Sequence, residues 1–263
     1  MNTQTLKTLV SATVLTLLFF GVVMGAAMFC VMLNARWSPD LVWFPVPVIA
    51  LLIITTLWAE KRWEIRLNHP PDIPLLRIYV IAITITVFGS CVSATQGVFT
   101  DKVRAVELYS GDVIPLFTIT YAFLMSVFAA ILAEVAFRGI MQTRVQKVLS
   151  VWSAIAFVAF INLIAHRWGL ALLYNAVGVF VILATWTYLR WVSRSLWPPL
   201  VAHTLHNFVF ATIVWFGGPI EFGKLSGGVI AVIIFVGLIS LGVTIVLAKD
   251  LHRARLEAAA NSV

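Results

Sequence analysis

Eight long apolar stretches, separated by short polar connections, dominate this chain of 263 residues. Hydrophobic residues make up 61% of the sequence and charged residues only 11%, a balance that water-soluble domains do not reach. About 20 apolar residues suffice to cross a bilayer as a helix. We therefore predict an all-α, polytopic membrane protein with about eight transmembrane helices, forming one membrane-embedded domain over residues 1–263. The predicted spans are 8–33, 41–58, 78–98, 114–137, 150–166, 170–189, 199–216 and 227–248.

The distribution of lysine and arginine predicts how these helices are oriented. Of the 18 basic residues, 13 fall at the amino terminus and in alternate connections, and 5 fall on the other side. The positive-inside rule then places both termini in the cytoplasm. Short connections and a compact length favour a bacterial inner membrane. The net charge of +7 is explained by orientation and anionic lipid, so we expect membrane lipid and not nucleic acid as a partner.

Polar residues inside the apolar stretches are the candidates for function, because charges at membrane depth are costly and usually functional. Glu134 and Arg138 are four residues apart, so they share a helix face and can pair. His203 and Asn207 have the same spacing. An amide there can orient the imidazole or bind an oxyanion.

A helical hairpin is expected to bring a further histidine to the depth of the carboxylate. If the chain turns near Ser150, Glu134 lies 16 residues before the turn and His166 lies 16 residues after it. At about 1.5 Å per residue the two return to the same depth. A carboxylate beside imidazoles in an apolar pocket can take a proton from water. Such an arrangement would be sufficient for peptide hydrolysis without a covalent intermediate.

These residues resemble the CAAX-processing and bacteriocin-processing membrane endopeptidases, which include the Ras-converting CAAX enzymes. Phe137-Arg138-Gly139 matches the end of the first motif of that family, His166 matches the second, and His203 with Asn207 matches the third. The resemblance covers a motif-bearing core of about residues 114–216. It implies an intramembrane endopeptidase that cleaves a peptide or protein tail.

The resemblance also implies a role for each of the matched residues. Glu134 is the expected acid/base, and Arg138 orients it. His166 positions water, while His203 and Asn207 stabilise the oxyanion. No cofactor is expected for a mechanism of this kind.

Two positions depart from the family pattern. Ala133 stands at the first glutamate of the usual pair, which is thought to activate water, and Asn162 stands where phenylalanine is usual. A natural inactive relative, an engineered substitution and an enzyme that moved its carboxylate to Glu134 all remain open. If the chain is a weakened enzyme, Ala133→Glu should raise hydrolysis.

Other readings of the same residues also stay open. Zinc is the main competitor, since Glu134, His166, His203 and His206 are all potential ligands, although the resemblance favours a metal-free site. The carboxylate and guanidinium could form a structural ion pair, and the histidines could join helices. A non-catalytic membrane scaffold and an ion-coupled transporter are the two alternatives to an enzyme.

Overall fold

Helices account for nearly all of the chain that the structure describes. The computed structural model describes residues 2–37, 45–63, 75–100, 103–104, 115–166, 176–217 and 220–260. The helices are α1 (Thr3–Trp37), α2 (Pro45–Trp63), α3 (Leu75–Phe99), α4 (Pro115–Ala133), α5 (Gln142–Val145), α6 (Val151–His166), α7 (Ala176–Ser193), α8 (Trp197–Gly217) and α9 (Gly227–Ala260). A π-helical segment, Glu134–Met141, joins α4 to α5.

A two-stranded antiparallel ribbon is the one sheet within the described ranges. It pairs β1 (Val103–Arg104) with β2 (Ile220–Glu221), and a short 3₁₀ turn at Phe222–Lys224 follows. The predominance of helix has a physical reason, because a chain in lipid must satisfy its backbone groups internally.

Within the described ranges, five helical stretches are long and apolar enough to cross a membrane. They are Thr3–Phe29, Leu75–Phe99, Ala122–Val145, Ala176–Ser193 and Gly227–Arg253, and α6 is a shorter apolar helix. The prediction of an all-α membrane protein is confirmed. Five of the eight predicted spans overlap these five helices, and the other three overlap α2, α6 and α8. The total of eight spans stays a prediction.

Polar contacts give the relative directions of the helices that follow α4. Arg138 donates to the carbonyl of Leu183, and Gln142 donates to the carbonyl of Thr187. Both bonds join residues 45 apart in the chain, so the segment that carries Arg138 and Gln142 runs parallel to α7. α8 runs antiparallel to α4, since Phe123 packs on Phe208 while Glu134, later in the chain, contacts the earlier His203. This alternation fits the predicted topology, and the cytoplasmic placement of the termini stays a prediction.

A sharp turn between α7 and α8 sets where α8 begins. Arg194 has a positive φ of 53°, and the Ser195 hydroxyl accepts the backbone N–H of Trp197 at 3.2 Å. Pro198 and Pro199 fit the first turn of a helix, where no N–H partner is needed. α8 therefore starts at a defined point, which fixes the height of its two histidines.

α3 and α7 approach each other closely through a small residue. A Cβ added at Gly178 of α7 would lie 2.5 Å from the backbone of Ser93 in α3. Further along the same antiparallel pair, Trp186 of α7 bonds to Thr86 of α3. Small residues commonly permit such close backbone approach in membrane helix pairs.

We expect Gly178→Ala to destabilise the protein, because the new methyl group would push the two backbones apart. Overpacking of this kind costs roughly 1–3 kcal/mol, which a lower melting temperature in detergent would report. Gly242→Ala in α9 is the matched control, since nothing lies within 4 Å of an added Cβ there. Equal melting temperatures for the two variants would contradict the close approach.

Candidate active site

The carboxylate of Glu134 is the centre of a buried polar cluster. Its side chain is 1% exposed, and its Oε1 accepts a hydrogen bond from Arg138 Nη1 at 3.2 Å. The same oxygen lies 2.9 Å from His203 Nδ1. Its second oxygen, Oε2, has no hydrogen-bond partner among the described residues. One oxygen is therefore held by two side chains, and the other is left for a further partner.

Arg138 fixes this carboxylate to the neighbouring helix. The side chain is fully buried, and its Nη2 donates to the backbone carbonyl of Leu183 in α7 at 3.0 Å. One turn later, Gln142 Nε2 donates to the carbonyl of Thr187 at 2.9 Å. The i, i+4 stripe of Glu134, Arg138 and Gln142 thus docks along α7, so the predicted Glu134–Arg138 pair is also an anchor between helices.

His203 is held on its face as well as at its ring nitrogen. Its ring stacks on Trp186, with centroids 4.2 Å apart and planes at 25°. The Trp186 indole N–H donates to Thr86 Oγ1 at 3.0 Å, and the guanidinium carbon of Arg138 lies 5.7 Å from the indole ring. Since a carboxylate only accepts, Nδ1 of His203 is the donor to Glu134 when that group is ionised.

Glu134 lines a cavity of about 610 Å³ between α2, α4 and α8. Among the described residues that line it, Glu134 is the one ionisable side chain, and Thr56 and Thr204 add hydroxyls. Leu57 and Trp197 also line it and are 50% and 46% exposed. The outer rim of the cavity is therefore apolar and exposed.

The structure treats the other predicted site residues in different ways. His166 is the last residue of α6, and its side chain lies outside what the structure describes. Asn207 lies one turn after His203 in α8 and is half-buried, but it does not line the Glu134 cavity. Asn162 is 2% exposed, and its Nδ2 has no hydrogen-bond partner in the described ranges.

The two histidines of α8 face different surroundings, which bears on the zinc alternative. His206 Nδ1 lies 3.2 Å from the Ser90 hydroxyl of α3, whereas His203 meets Glu134. Within the described part of the chain, no three His, Cys, Asp or Glu side chains are grouped so that they could hold a metal ion.

Three contributors to the cluster escaped the sequence analysis: Thr86, Gln142 and Trp186. Gln142 follows Arg138 by four residues, as Arg138 follows Glu134, so this spacing could have predicted that all three share one helix face. Trp186 and Thr86 have no such signal, because their contact depends on the register between α7 and α3.

Comparison with known proteins bears directly on the segment that carries this cluster. Residues 115–209 match the model of a family described as type II CAAX prenyl endopeptidase Rce1-like. The site-bearing segment is Rce1-like. This match confirms the resemblance, and the matched residues lie within the predicted core of about residues 114–216. Neither the curated proteins nor the solved structures gave a match.

The match to this protease family spans α4 to most of α8, and the apolar helices indicate an integral membrane protein. Glu134, Arg138 and His203 all belong to the Rce1-like segment, whereas Thr86 lies before it. One hydrogen bond to the cluster therefore comes from α3, a helix that the family match does not include.

Ala133, at the position of the family's first glutamate, lies in a different environment from Glu134. It is 6% exposed and belongs to an apolar cluster with Leu9 of α1, Phe137 and Val158 of α6. The Phe137 ring lies 5.6 Å from Phe20 of α1. Because residue 133 packs among apolar side chains, a glutamate there would extend from a position surrounded by apolar groups, whereas Glu134 contacts His203.

Proposed function

We propose that this protein is an intramembrane endopeptidase of the CAAX and bacteriocin-processing type, with Glu134 as its general base. One observation carries the proposal: Glu134 has one oxygen fixed by Arg138 and His203, and the same residue is among those that line an apolar cavity with exposed outer residues. A base fixed in this way is already oriented before a substrate arrives.

In the proposed reaction, Glu134 Oε2 takes a proton from water as the water oxygen bonds to the scissile carbonyl carbon. The carbonyl oxygen becomes an oxyanion. When the tetrahedral intermediate collapses, the carbonyl re-forms, the carbon–nitrogen bond breaks, and Glu134 returns the proton to the leaving amine. The carboxylate therefore acts first as base and then as acid, as microscopic steps of hydrolysis require.

The remaining roles follow from what each group can donate. A neutral His203 uses its one N–H on Glu134, so its Nε2 carries a proton only when the ring is an imidazolium. Asn207 is then the proposed amide donor for the oxyanion, and His166 is proposed to position the water. Arg138 is proposed to orient Glu134 through the hydrogen bond from Nη1 to Oε1 at 3.2 Å.

The chemistry of the cavity supports an apolar substrate tail. Nearly all of its lining is aliphatic or aromatic, and its outer residues Leu57 and Trp197 are exposed. The matched family is described by its action on prenylated CAAX proteins. We therefore propose a peptide that carries an isoprenoid or a similarly apolar group near its carboxyl terminus.

A hydrolysis assay tests this proposal. The purified protein in lipid nanodiscs is expected to cleave a quenched fluorescent peptide with an S-farnesyl cysteine, with saturable kinetics and a higher kcat/KM than for the same peptide without the farnesyl group. Equal rates for the two peptides would remove the apolar-tail assignment. No cleavage of any peptide by folded protein would overturn the enzyme assignment.

Ala133 favours one second candidate, a membrane binding protein that keeps the pocket without turnover. Such a protein would bind the farnesylated peptide with measurable affinity and leave it intact. A transporter would instead carry ions, and flux in liposomes containing the protein would identify it. The same purified protein serves all three measurements, in nanodiscs for hydrolysis and binding and in liposomes for ion flux.

A further inference from the structure

We propose that Thr86 of α3 is a positioning residue for the active site, acting on His203 through Trp186. The inference rests on the proposed function and adds a helix that lies before the Rce1-like segment, residues 115–209. It assigns a role to a buried threonine whose hydroxyl bonds to the Ala82 carbonyl and the Trp186 indole and acts on Glu134 only through other side chains.

A continuous series of contacts joins α3 to the proposed base. The Thr86 hydroxyl donates to the Ala82 carbonyl at 2.6 Å and accepts the Trp186 indole N–H at 3.0 Å. The Trp186 ring stacks on His203, whose Nδ1 lies 2.9 Å from Glu134 Oε1. Because the hydroxyl has its own fixed acceptor, its lone pair points in a defined direction toward the indole.

Each of these contacts restricts one possible movement of the His203 ring. The bond to Glu134 fixes the ring nitrogen, but the imidazole could still turn about that bond. The face of Trp186 at 4.2 Å prevents that rotation, and Thr86 prevents the indole from turning in its own plane. Thr86 and Trp186 are 7% and 2% exposed, so water does not offer the indole an alternative partner.

The Trp186 indole also contacts the second histidine of α8. The two rings of His206 and Trp186 are nearly perpendicular at a centroid distance of 5.9 Å, and the Ser90 hydroxyl lies 3.2 Å from His206 Nδ1. Ser90 and Thr86 are four residues apart, so one face of α3 contacts both His206 and Trp186. A Trp that merely filled space would need neither partner.

Thr86→Val tests the proposal, because valine keeps the shape of threonine and removes the hydroxyl. We expect kcat to fall roughly 10- to 100-fold with KM little changed, since small misplacements of catalytic groups have effects of that size. Thr86→Ser restores the hydroxyl and should restore kcat. The matched control is Thr84→Val, which removes the Thr84–Thr244 hydroxyl contact at 2.8 Å between α3 and α9, away from Trp186.

A second readout does not depend on turnover. In protein labelled with ¹⁵N-histidine, the imidazole signals of His203, assigned with His203→Gln, should change in Thr86→Val and stay unchanged in Thr84→Val. Unchanged His203 signals in Thr86→Val would overturn the proposal. Equal losses of kcat in Thr86→Val and Thr84→Val would also overturn it, because they would indicate general loosening of α3.

The two readouts separate this inference from the proposed function. If the unaltered protein hydrolyses no peptide while the His203 signals respond only to Thr86→Val, the enzyme assignment fails and the positioning role of Thr86 stands. If hydrolysis is robust and Thr86→Val changes neither kcat nor the signals, the enzyme stands and the role of Thr86 fails.

Discussion

Glu134→Gln is expected to lower kcat/KM for peptide hydrolysis by roughly 10²–10⁴-fold, the range that general-base assistance contributes. Glutamine has nearly the same shape and keeps an oxygen that can accept from Arg138 and His203. It cannot take a proton from water. A loss of this size with KM little changed would therefore report the lost base, and progress curves with the farnesylated peptide measure it.

Stability must be followed in the same variant, because Glu134 also balances a buried charge. Arg138 is fully buried, and removing the partner of such a charge typically costs about 3–5 kcal/mol. A melting curve shows whether the variant is folded at the assay temperature. Glu221→Gln is the matched control, since Glu221 pairs with Lys224 on the surface after α8 and lies outside the cluster. Hydrolysis by folded Glu134→Gln at close to the unaltered rate would exclude Glu134 as the base.

Local spacing predicted the part of this site that lies within one helix. Glu134 and Arg138 had to share a face, and the structure pairs them at 3.2 Å with both side chains buried. The reason is that a helix fixes the relation of residues four apart regardless of what surrounds it. The all-α fold was predictable for a similar reason, because lipid leaves the backbone of an apolar stretch few alternatives.

Contacts between helices were harder to predict from the sequence. His203 was singled out by its motif, but its stacking on Trp186 follows from where the Ser193–Leu196 turn starts α8. The bond from Trp186 to Thr86 depends on how far α3 and α7 slide past each other, and Gly178 determines their separation. A single sequence specifies these registers only through packing of the whole bundle.

The angular position of residue 133 was the most consequential uncertainty. A rotation of about 100° separates neighbours on an α-helix, so the sequence alone left open which of residues 133 and 134 meets the imidazoles. In the structure Glu134 meets His203, and Ala133 joins the cluster that packs α1 against α6. The π-helical turn that begins at Glu134 further alters the angles of the residues after it.

Ala133→Glu is therefore expected to destabilise the protein and to leave hydrolysis unimproved, the reverse of what the family pattern alone predicts. Ala133 is 6% exposed among apolar side chains, including Leu9 and Phe137. A buried polar group without a partner costs roughly 1–3 kcal/mol, and an ionised carboxylate costs more. The melting temperature should fall, and the hydrolysis rate of the folded fraction should not exceed that of the unaltered protein.

Ala133→Met separates the effect of charge from that of volume, because methionine adds a side chain of similar length without a carboxylate. If the charge is responsible, Ala133→Glu melts well below Ala133→Met, and raising the pH enlarges the difference as the carboxyl group ionises. The contrary result is equally clear. Faster hydrolysis by Ala133→Glu, retained when Glu134→Gln is added, would place the water-activating position at residue 133 and reduce Glu134 to a structural partner of Arg138.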